Sequence, residues 1–135
     1  MPYFGSRSRK NLDTCDPRIQ RVLERAIKNG PDFSVIVGHR TEEDQNKAYS
    51  LGFSKKKWPD SNHNSQPSRA VDVLPYGGDN VWDDHIRFGL LAGWILACAE
   101  EEGVKLRWGG DWSRTWRANE KSSFFDGAHF ELCEE

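Results

Sequence analysis

The sequence predicts an α+β fold in which a small mixed or antiparallel sheet packs against helices. Amphipathic segments with helical spacing occur early in the chain and again past its middle, and short β-branched segments lie between and after them. These segments do not alternate in a regular β-α-β order, which argues against a doubly wound parallel sheet. A chain of 135 residues can bury one sizeable core. We therefore expect a single domain over residues 1–135.

The first predicted helix follows Asp16, whose side chain can cap a helix that has Pro17 at its first position. Asn29 and Gly30 provide the signal that ends this helix. Its apolar residues recur at helical spacing and predict one buried face, made of Ile19, Val22, Leu23, Ala26 and Ile27.

Two further helices are predicted from their caps and their apolar spacing. Thr41 can cap the second helix, in which we expect Ala48 and Tyr49 to face inward. One of the aspartates at positions 83–84 can cap the longest helix, and Gly103 ends it. The predicted inward face of this helix consists of Ile86, Leu90, Leu91, Trp94, Ile95 and Ala97 or Cys98.

Short runs of apolar and β-branched residues predict four strands. They are Phe33–Val37, Arg69–Pro75, Val104–Trp108 and Ala128–Leu132. Side chains alternate along a strand, so Ala70, Asp72 and Leu74 should share one face of the second strand. By the same alternation, His129 and Glu131 should point to the same side of the last strand.

Composition and charge exclude several classes of protein. The formal net charge is −2, which favours neither nucleic acid nor an anionic lipid surface as a partner. The basic clusters at 7–10 and Lys55–Lys57 are interpreted as solvated loops in preference to a docking patch for an anionic polymer. No apolar run has the length of a signal peptide or a membrane span. The cysteines, Cys15, Cys98 and Cys133, form no paired motif, which favours folding in a reducing compartment.

Two histidines and an aspartate are the strongest chemical signal in the sequence. His63 lies in the polar loop 52–66, Asp72 in a strand, and His129 in the last strand. Two imidazoles and a carboxylate form a three-ligand set for a catalytic zinc ion and leave a fourth position open for water. Asp126 precedes His129 by three residues and can serve as a base beside that water. Singly, each residue also fits a structural role, so the prediction of a metal hydrolase rests on the combination.

Two motifs carry a family resemblance. The first is Ser61-Asn62-His63 followed by Ala70-Val71-Asp72, and the second is Asp126-Gly127-Ala128-His129 followed by Phe130-Glu131. In their residue types and order they resemble the zinc D-Ala-D-Ala carboxypeptidase and L-alanyl-D-glutamate endopeptidase family of cell-wall peptidases. Two less specific elements are similar to the same family and extend the resemblance over residues 33–132: Val37-Gly38-His39-Arg40-Thr41 with the following Gln45, and Arg107-Trp108-Gly109-Gly110-Asp111-Trp112.

One departure from the family pattern concerns the first motif. The interval from His63 to Asp72 is nine residues, two more than is usual in the family. We expect the extra residues around Pro67 to bulge from the loop without moving the strand. The only other histidines that could replace His63 as a ligand are His39 and His85.

The resemblance implies a fold like those of the DD-peptidases and hedgehog domains, and one Zn²⁺ per chain. His63, Asp72 and His129 would hold the ion, and Asp126 would be the catalytic base. Arg40 would stabilise the oxyanion or bind a substrate carboxylate, with an ion pair to a neighbouring glutamate as the structural alternative. Glutamate and aspartate partners that would orient the imidazoles are Glu131 or Asp111. The candidate substrate-binding residues are Trp108, Trp112 and Gln45.

The resemblance also points to one branch of the family. An aspartate at position 126 is typical of the L-alanyl-D-glutamate peptidases, whereas the carboxypeptidases tend to carry glutamate. With a short chain and no wall-binding module, this implies a monomeric phage endolysin of Gram-negative hosts that acts on the peptidoglycan stem peptide. Such an enzyme is made in the host cytoplasm and reaches the periplasm after a holin opens the inner membrane. The alternatives are a D,D-carboxypeptidase or dipeptidase that releases D-alanine, and a hedgehog-like zinc module without catalysis.

Overall fold

The structure is a computed structural model that describes residues 2–117 and 124–133. Its α-helices and β-strands follow one another in this order: α1 (Ser6–Leu12), α2 (Pro17–Asn29), β1 (Phe33–Val37), α3 (Glu42–Ser50), β2 (Ala70–Pro75), α4 (His85–Glu101), β3 (Leu106–Gly109) and β4 (Asp126–Leu132). Short 3₁₀ turns occur at Asn62–Asn64 and Val81–Asp83. None of the described helices is long and apolar enough to cross a membrane.

The four strands form one sheet in the order β1-β2-β4-β3. Every pairing between neighbouring strands is antiparallel, so the predicted α+β class is confirmed and the sheet is antiparallel, not mixed. The two central strands, β2 and β4, are hydrogen-bonded on both sides. A residue at their centre is therefore held more rigidly than one on an edge strand or a loop.

The apolar core lies between one face of the sheet and helices α2 and α4. Val71 and Val73 of β2 and Phe130 and Leu132 of β4 point into this core, as the predicted alternation requires. The five predicted apolar positions of α2 are all buried. The opposite face of β2 and β4 therefore carries Asp72 and His129, and it is free to form a site.

The helix caps are confirmed, because Asp16 accepts a hydrogen bond from the Arg18 backbone N–H and Thr41 accepts one from Asp44. The prediction for the inward face of α3 was partly wrong. Ala48 is half-buried, but Tyr49 is exposed, and the buried residue of this helix is Gln45. The helix is too polar for apolar spacing to identify its inner face, and its one buried side chain is an amide.

The predicted inward face of α4 was partly wrong. Ile86 and Leu90 are 78% and 70% exposed, whereas Leu91, Ile95 and Cys98 are buried as expected. Apolar residues lie on nearly every side of this helix, so spacing alone did not identify which side faces the sheet. The buried positions of α4 are Phe88, Leu91, Ala92, Ile95, Cys98 and Ala99.

Two element boundaries bear on the site. Helix α1 was not predicted, because the segment is polar and buries only Ser8 and Leu12. Strand β4 begins at Asp126, two residues before the predicted start, and Asp126 pairs with Gly109 of β3. Asp126 therefore lies on a strand next to the metal-ligand candidates and not on a loop.

Candidate metal centre and active site

The register of the sheet brings the strand residues of the site together. Asp72 on β2 lies directly opposite His129 on β4, and Glu131 on β4 lies opposite Arg107 on β3. Side chains of directly opposed residues stand on the same face of a sheet, close enough to interact. The four side chains therefore form a continuous polar row across three strands.

His63 reaches the same place from the 3₁₀ turn at Asn62–Asn64. The Ser61 hydroxyl accepts a hydrogen bond from the His63 backbone N–H at 3.2 Å, and the Arg40 N–H donates to the His63 carbonyl at 2.8 Å. The Arg69 N–H donates to the Asn62 carbonyl at 3.0 Å, which closes the loop between the turn and β2. This hydrogen bond encloses Pro67, the residue around which the longer interval is expected to bulge.

The three candidate ligands converge on one point. His63 Nε2 and His129 Nδ1 each lie 3.2 Å from Asp72 Oδ1. The donor atoms of these buried residues all lie within 4.8 Å of one another. This group of residues could hold a metal ion.

The far side of each imidazole ring fits that role. His63 Nδ1 lies 2.8 Å from the Gly38 carbonyl oxygen, and His129 Nε2 lies 2.8 Å from Glu131 Oε1. Both partners are acceptors, so the outer nitrogen of each ring carries a proton and the inner nitrogen faces Asp72. The carboxylate attracts positive charge to this point, either a metal ion bound by the inner nitrogens or, without a metal, a second proton on His129. Such a pattern of oriented imidazoles is typical of metal centres.

The pKa shifts of the site residues follow from their burial, their hydrogen bonds and the neighbouring charges. Burial disfavours a charge on His129, but hydrogen bonds to Asp72 and Glu131 outweigh burial and raise its pKa to about 9. Burial likewise opposes ionisation of Asp72, yet the charges of His63 and His129 hold its pKa far below the usual range. The Glu131 pKa falls to about 2, because its bonds to His129 outweigh burial. The site therefore stabilises carboxylates together with positive charge at its centre.

Asp126 lies beside this group, and its pKa is raised, whereas the pKa values of Asp72 and Glu131 are lowered. Burial raises its pKa, the negative charge of Asp72 raises it further, and the result is about 6. The close approach of β3 fixes its backbone, since a Cβ on Gly109 would lie 2.2 Å from the Asp126 carbonyl oxygen. A carboxyl group with a pKa near neutrality can both accept and return a proton, which is what acid–base catalysis requires.

Arg40 joins the site to α3. Its Nη2 donates to Asp72 Oδ2 and its Nη1 donates to Gln45 Oε1, each at 3.3 Å. The predicted alternative, an ion pair with Glu42 or Glu43, does not occur among the described contacts. Arg40 lines a cavity of about 410 Å³ together with His63, Asp126 and His129, so its guanidinium faces the space that a substrate would enter.

Comparisons with known proteins identify the family of this chain. A sequence profile of the phage L-alanyl-D-glutamate peptidases matches residues 1–133. The chain belongs to the phage L-alanyl-D-glutamate peptidase family. An L-alanyl-D-glutamate peptidase of Escherichia phage T5 is 33% identical over 133 residues, which make up 96% of each chain. The crystal structure of the Serratia marcescens L-Ala D-Glu endopeptidase ChiX matches with a TM-score of 0.75 and 27% identity, covering 98% of this chain and 91% of that one.

In this member of the phage L-alanyl-D-glutamate peptidase family, the tryptophans differ in position. Trp112 lines the cavity, and its ring centroid lies 5.5 Å from that of His129. Trp108 instead packs against the core and donates from Nε1 to the Gly127 carbonyl at 2.8 Å. The prediction of substrate contact is therefore corrected for Trp108, which hydrogen-bonds strand β4 at the residue after Asp126.

Gln45 also requires correction. It is fully buried and does not line the cavity. Its amide nitrogen donates to the Ser54 hydroxyl and the Lys56 carbonyl, at 2.9 and 2.7 Å, while its oxygen accepts from Arg40. We interpret Gln45 as a residue that positions Arg40 and the neighbouring loop, not as a substrate contact.

The other histidines of this peptidase-family chain lie outside the metal group. His39 Nδ1 lies 3.1 Å from the Ser65 carbonyl, and the His85 ring stacks on Phe125 with centroids 4.2 Å apart. Of the two predicted orienting residues, Glu131 contacts an imidazole, whereas Asp111 accepts hydrogen bonds from Thr115 and Trp116 in its own loop. The Gly38 carbonyl was not predicted, because no side-chain pattern in a sequence signals a backbone acceptor.

Proposed function

We propose that this chain is a zinc-dependent endopeptidase that cleaves the bond between L-alanine and D-glutamate in the peptidoglycan stem peptide. The observation that carries the proposal is the convergence of His63, Asp72 and His129 beside Asp126, a carboxyl group with a raised pKa, in an open cavity. Membership of a family named for this activity supports the substrate, and the relatives from phage T5 and Serratia marcescens carry the same activity in their names.

Zinc is the metal that best fits the three side chains. Two imidazole nitrogens and one carboxylate oxygen are a common donor set of catalytic zinc sites, which keep one position open. His63 would bind through Nε2 and His129 through Nδ1, since the other nitrogen of each ring is engaged. We propose one zinc ion per chain.

The mechanism follows from the protein groups that surround this position. When bound, zinc supplies the positive charge that polarises the substrate carbonyl and makes water more acidic. Asp126, as a carboxylate, accepts the proton of the attacking water and then delivers it to the nitrogen of the leaving glutamyl residue. Arg40 presents N–H donors to the oxygen on which negative charge develops. Trp112 covers His129 on the cavity side and limits its exposure to water.

The biological setting is part of the proposal. We propose that the protein acts as a monomeric phage endolysin that is made in the host cytoplasm. It would reach the peptidoglycan of a Gram-negative host in the periplasm after a holin permeabilises the inner membrane.

Cleavage of a purified stem peptide tests this function. The metal-depleted protein, reloaded with one equivalent of zinc, is incubated with a peptide that begins L-Ala-D-Glu and ends in D-Ala. Mass spectrometry should show free L-alanine and a product whose new amino terminus is D-glutamate. Release of D-alanine would instead assign the carboxypeptidase reaction. Zinc binding without any cleavage would favour a non-catalytic module.

The role of Arg40 yields a separate prediction. Arg40→Ala should lower kcat by about 10²-fold, because a donor that stabilises the oxyanion is removed. Arg40→Lys should restore little of this activity, since a single ammonium cannot bond Asp72, Gln45 and the substrate together. Arg25→Lys is the control, because Arg25 on α2 forms an ion pair with Glu102 at the end of α4, away from the cavity. Steady-state kinetics and zinc content are measured for each variant, and an Arg40→Ala protein with normal kcat would remove Arg40 from the mechanism.

A further inference from the structure

The lysine cluster that was interpreted as a solvated loop lies at the edge of the cavity. Lys55 and Lys56 line the cavity together with Phe124 and Asp126. Lys57, the third lysine of the cluster, does not line it, and its ammonium lies 4.9 Å from the ring centroid of Tyr49 on α3. Two of the three adjacent lysines therefore line the cavity of the site.

The segment that carries these lysines is held in place. Gln45, which is fully buried, donates to both the Ser54 hydroxyl and the Lys56 carbonyl. The Ser54 hydroxyl also accepts a hydrogen bond from the Lys56 backbone N–H at 3.1 Å. The same glutamine bonds Arg40, so the lysine segment and the arginine of the site share one anchor. A binding group on an anchored segment loses less conformational entropy when a ligand binds.

Two of the cationic side chains that line the cavity form ion pairs with carboxylates. Arg40 is bonded to Asp72, and Arg107 is bonded to Glu131 at 2.8 Å. Within residues 2–117 and 124–133, no carboxylate forms an ion pair with Lys55 or Lys56. Among the described residues, these two lysines are thus cavity-lining cations without a carboxylate partner, and they can attract an anionic ligand.

Lys55 contacts a residue that is close in sequence to the proposed catalytic base, Asp126. Its Nζ lies 5.2 Å from the centroid of the Phe124 ring, and Phe124 precedes Asp126 by two residues. A cation over an aromatic face is held by the electrons of the ring and can still bind an anion on its other side. A substrate whose scissile bond lies at Asp126 would place its neighbouring groups within reach of this ammonium.

We propose that Lys55 and Lys56 form a recognition site for the free carboxylate of the D-glutamyl residue, which makes them specificity-determining residues. This inference rests on the proposed function. The glutamyl residue gives its amino group to the scissile bond and has two carboxyl groups, of which continuation of the peptide uses only one. A negative charge therefore remains close to the leaving nitrogen, and the lysines attract it. An amide in the place of that carboxylate would lack this attraction.

A matched pair of peptides tests the inference on the zinc-loaded protein. Both begin with L-Ala-D-Glu and continue identically, but in one of them the free carboxyl of the glutamyl residue is amidated. The wild-type chain should prefer the carboxylate peptide in kcat/KM by about fivefold at low salt, mainly through KM, as a partly exposed ion pair predicts. The preference should shrink at high salt because of screening.

Variants assign this preference to the two lysines. Lys55→Gln with Lys56→Gln should bring the ratio of the two kcat/KM values close to one, mainly by raising KM for the carboxylate peptide. Lys57→Gln removes the same charge from the same cluster and should retain the wild-type ratio. Thermal unfolding checks that all variants are folded.

The remaining outcomes overturn the inference. Unchanged kcat/KM values on both peptides in the double variant would show that the lysines do not recognise the carboxylate, and the proposed function would stand. An equal fold loss on both peptides, which also leaves the ratio unchanged, would indicate general electrostatic attraction of the peptides without recognition of this group. If the wild-type chain cleaves neither peptide, the proposed function itself fails, and this inference fails with it.

Discussion

Asp126→Asn is expected to lower kcat by about 10²–10⁴-fold, the range that general acid–base catalysis contributes. Asparagine has nearly the same shape as aspartate but accepts no proton at neutral pH, so the water would lose its base and the leaving nitrogen its acid. The variant should still bind one zinc ion, because Asp126 is not among the three converging ligands. Metal content and steady-state kinetics are measured on the same preparation, and normal turnover with full zinc occupancy would exclude Asp126 as the base.

The stability of the same variant provides a control on its fold. The Asp126 pKa is raised from 3.8 to about 6 in the folded protein, so folding favours the protonated carboxyl group. Its contribution to stability is fully present below pH 3.8 and is lost as the pH rises through 6. At pH 8 the ionised group thus destabilises the metal-free fold by about 2–3 kcal/mol. Metal-free Asp126→Asn should unfold at a higher denaturant concentration than wild type at pH 8, and the difference should be small at pH 4.

His129→Ala should abolish both zinc binding and turnover. The substitution removes one of three ligands and leaves the carboxylates of Asp72 and Glu131 buried without the imidazole that they share. Zinc at a hundredfold excess over its Kd should stabilise the wild-type fold by about 2.7 kcal/mol, and this gain should be absent in the variant. Thermal unfolding with and without zinc measures the difference.

The matched control for this variant is His85→Ala. His85 stacks on Phe125, outside the group that could hold a metal, so its loss should leave the stabilisation by zinc intact. Since His129→Ala is itself expected to lower the stability of the metal-free chain, zinc content after dialysis is the second readout. A His129→Ala protein that retains one tightly bound zinc would show that the ligand set is wrong.

The helices and strands whose buried face could be predicted from sequence are those in which apolar residues mark one face. Helix α2 has a single apolar face with an Asp16-Pro17 start, and strand β2 alternates Val71 and Val73 with Asp72, so both predictions agree with the structure. Helix α4 is apolar on most sides, and spacing misplaced Ile86 and Leu90 because it could not distinguish the face that packs on the sheet.

The residues of the candidate site were likewise predicted only in part. Two specific motifs were sufficient to predict His63, Asp72 and His129, which the register of β2 and β4 then brings together with the loop. The role of Gln45 could not be predicted, since a buried amide that bonds four partners and a surface amide that contacts substrate have the same sequence pattern. Lys55 and Lys56 were not assigned to the cavity, because the direction of loop side chains depends on anchors that are distant in sequence.

The most direct test of the account uses whole Gram-negative peptidoglycan as the substrate. Zinc-loaded wild-type protein is incubated with purified sacculi, and newly exposed amino termini are labelled and identified by mass spectrometry. The account predicts new D-glutamate amino termini that disappear with a chelator, return with zinc and are nearly absent with Asp126→Asn. New glutamate termini that persist in the presence of the chelator, or no new termini with fully zinc-loaded protein, would contradict it.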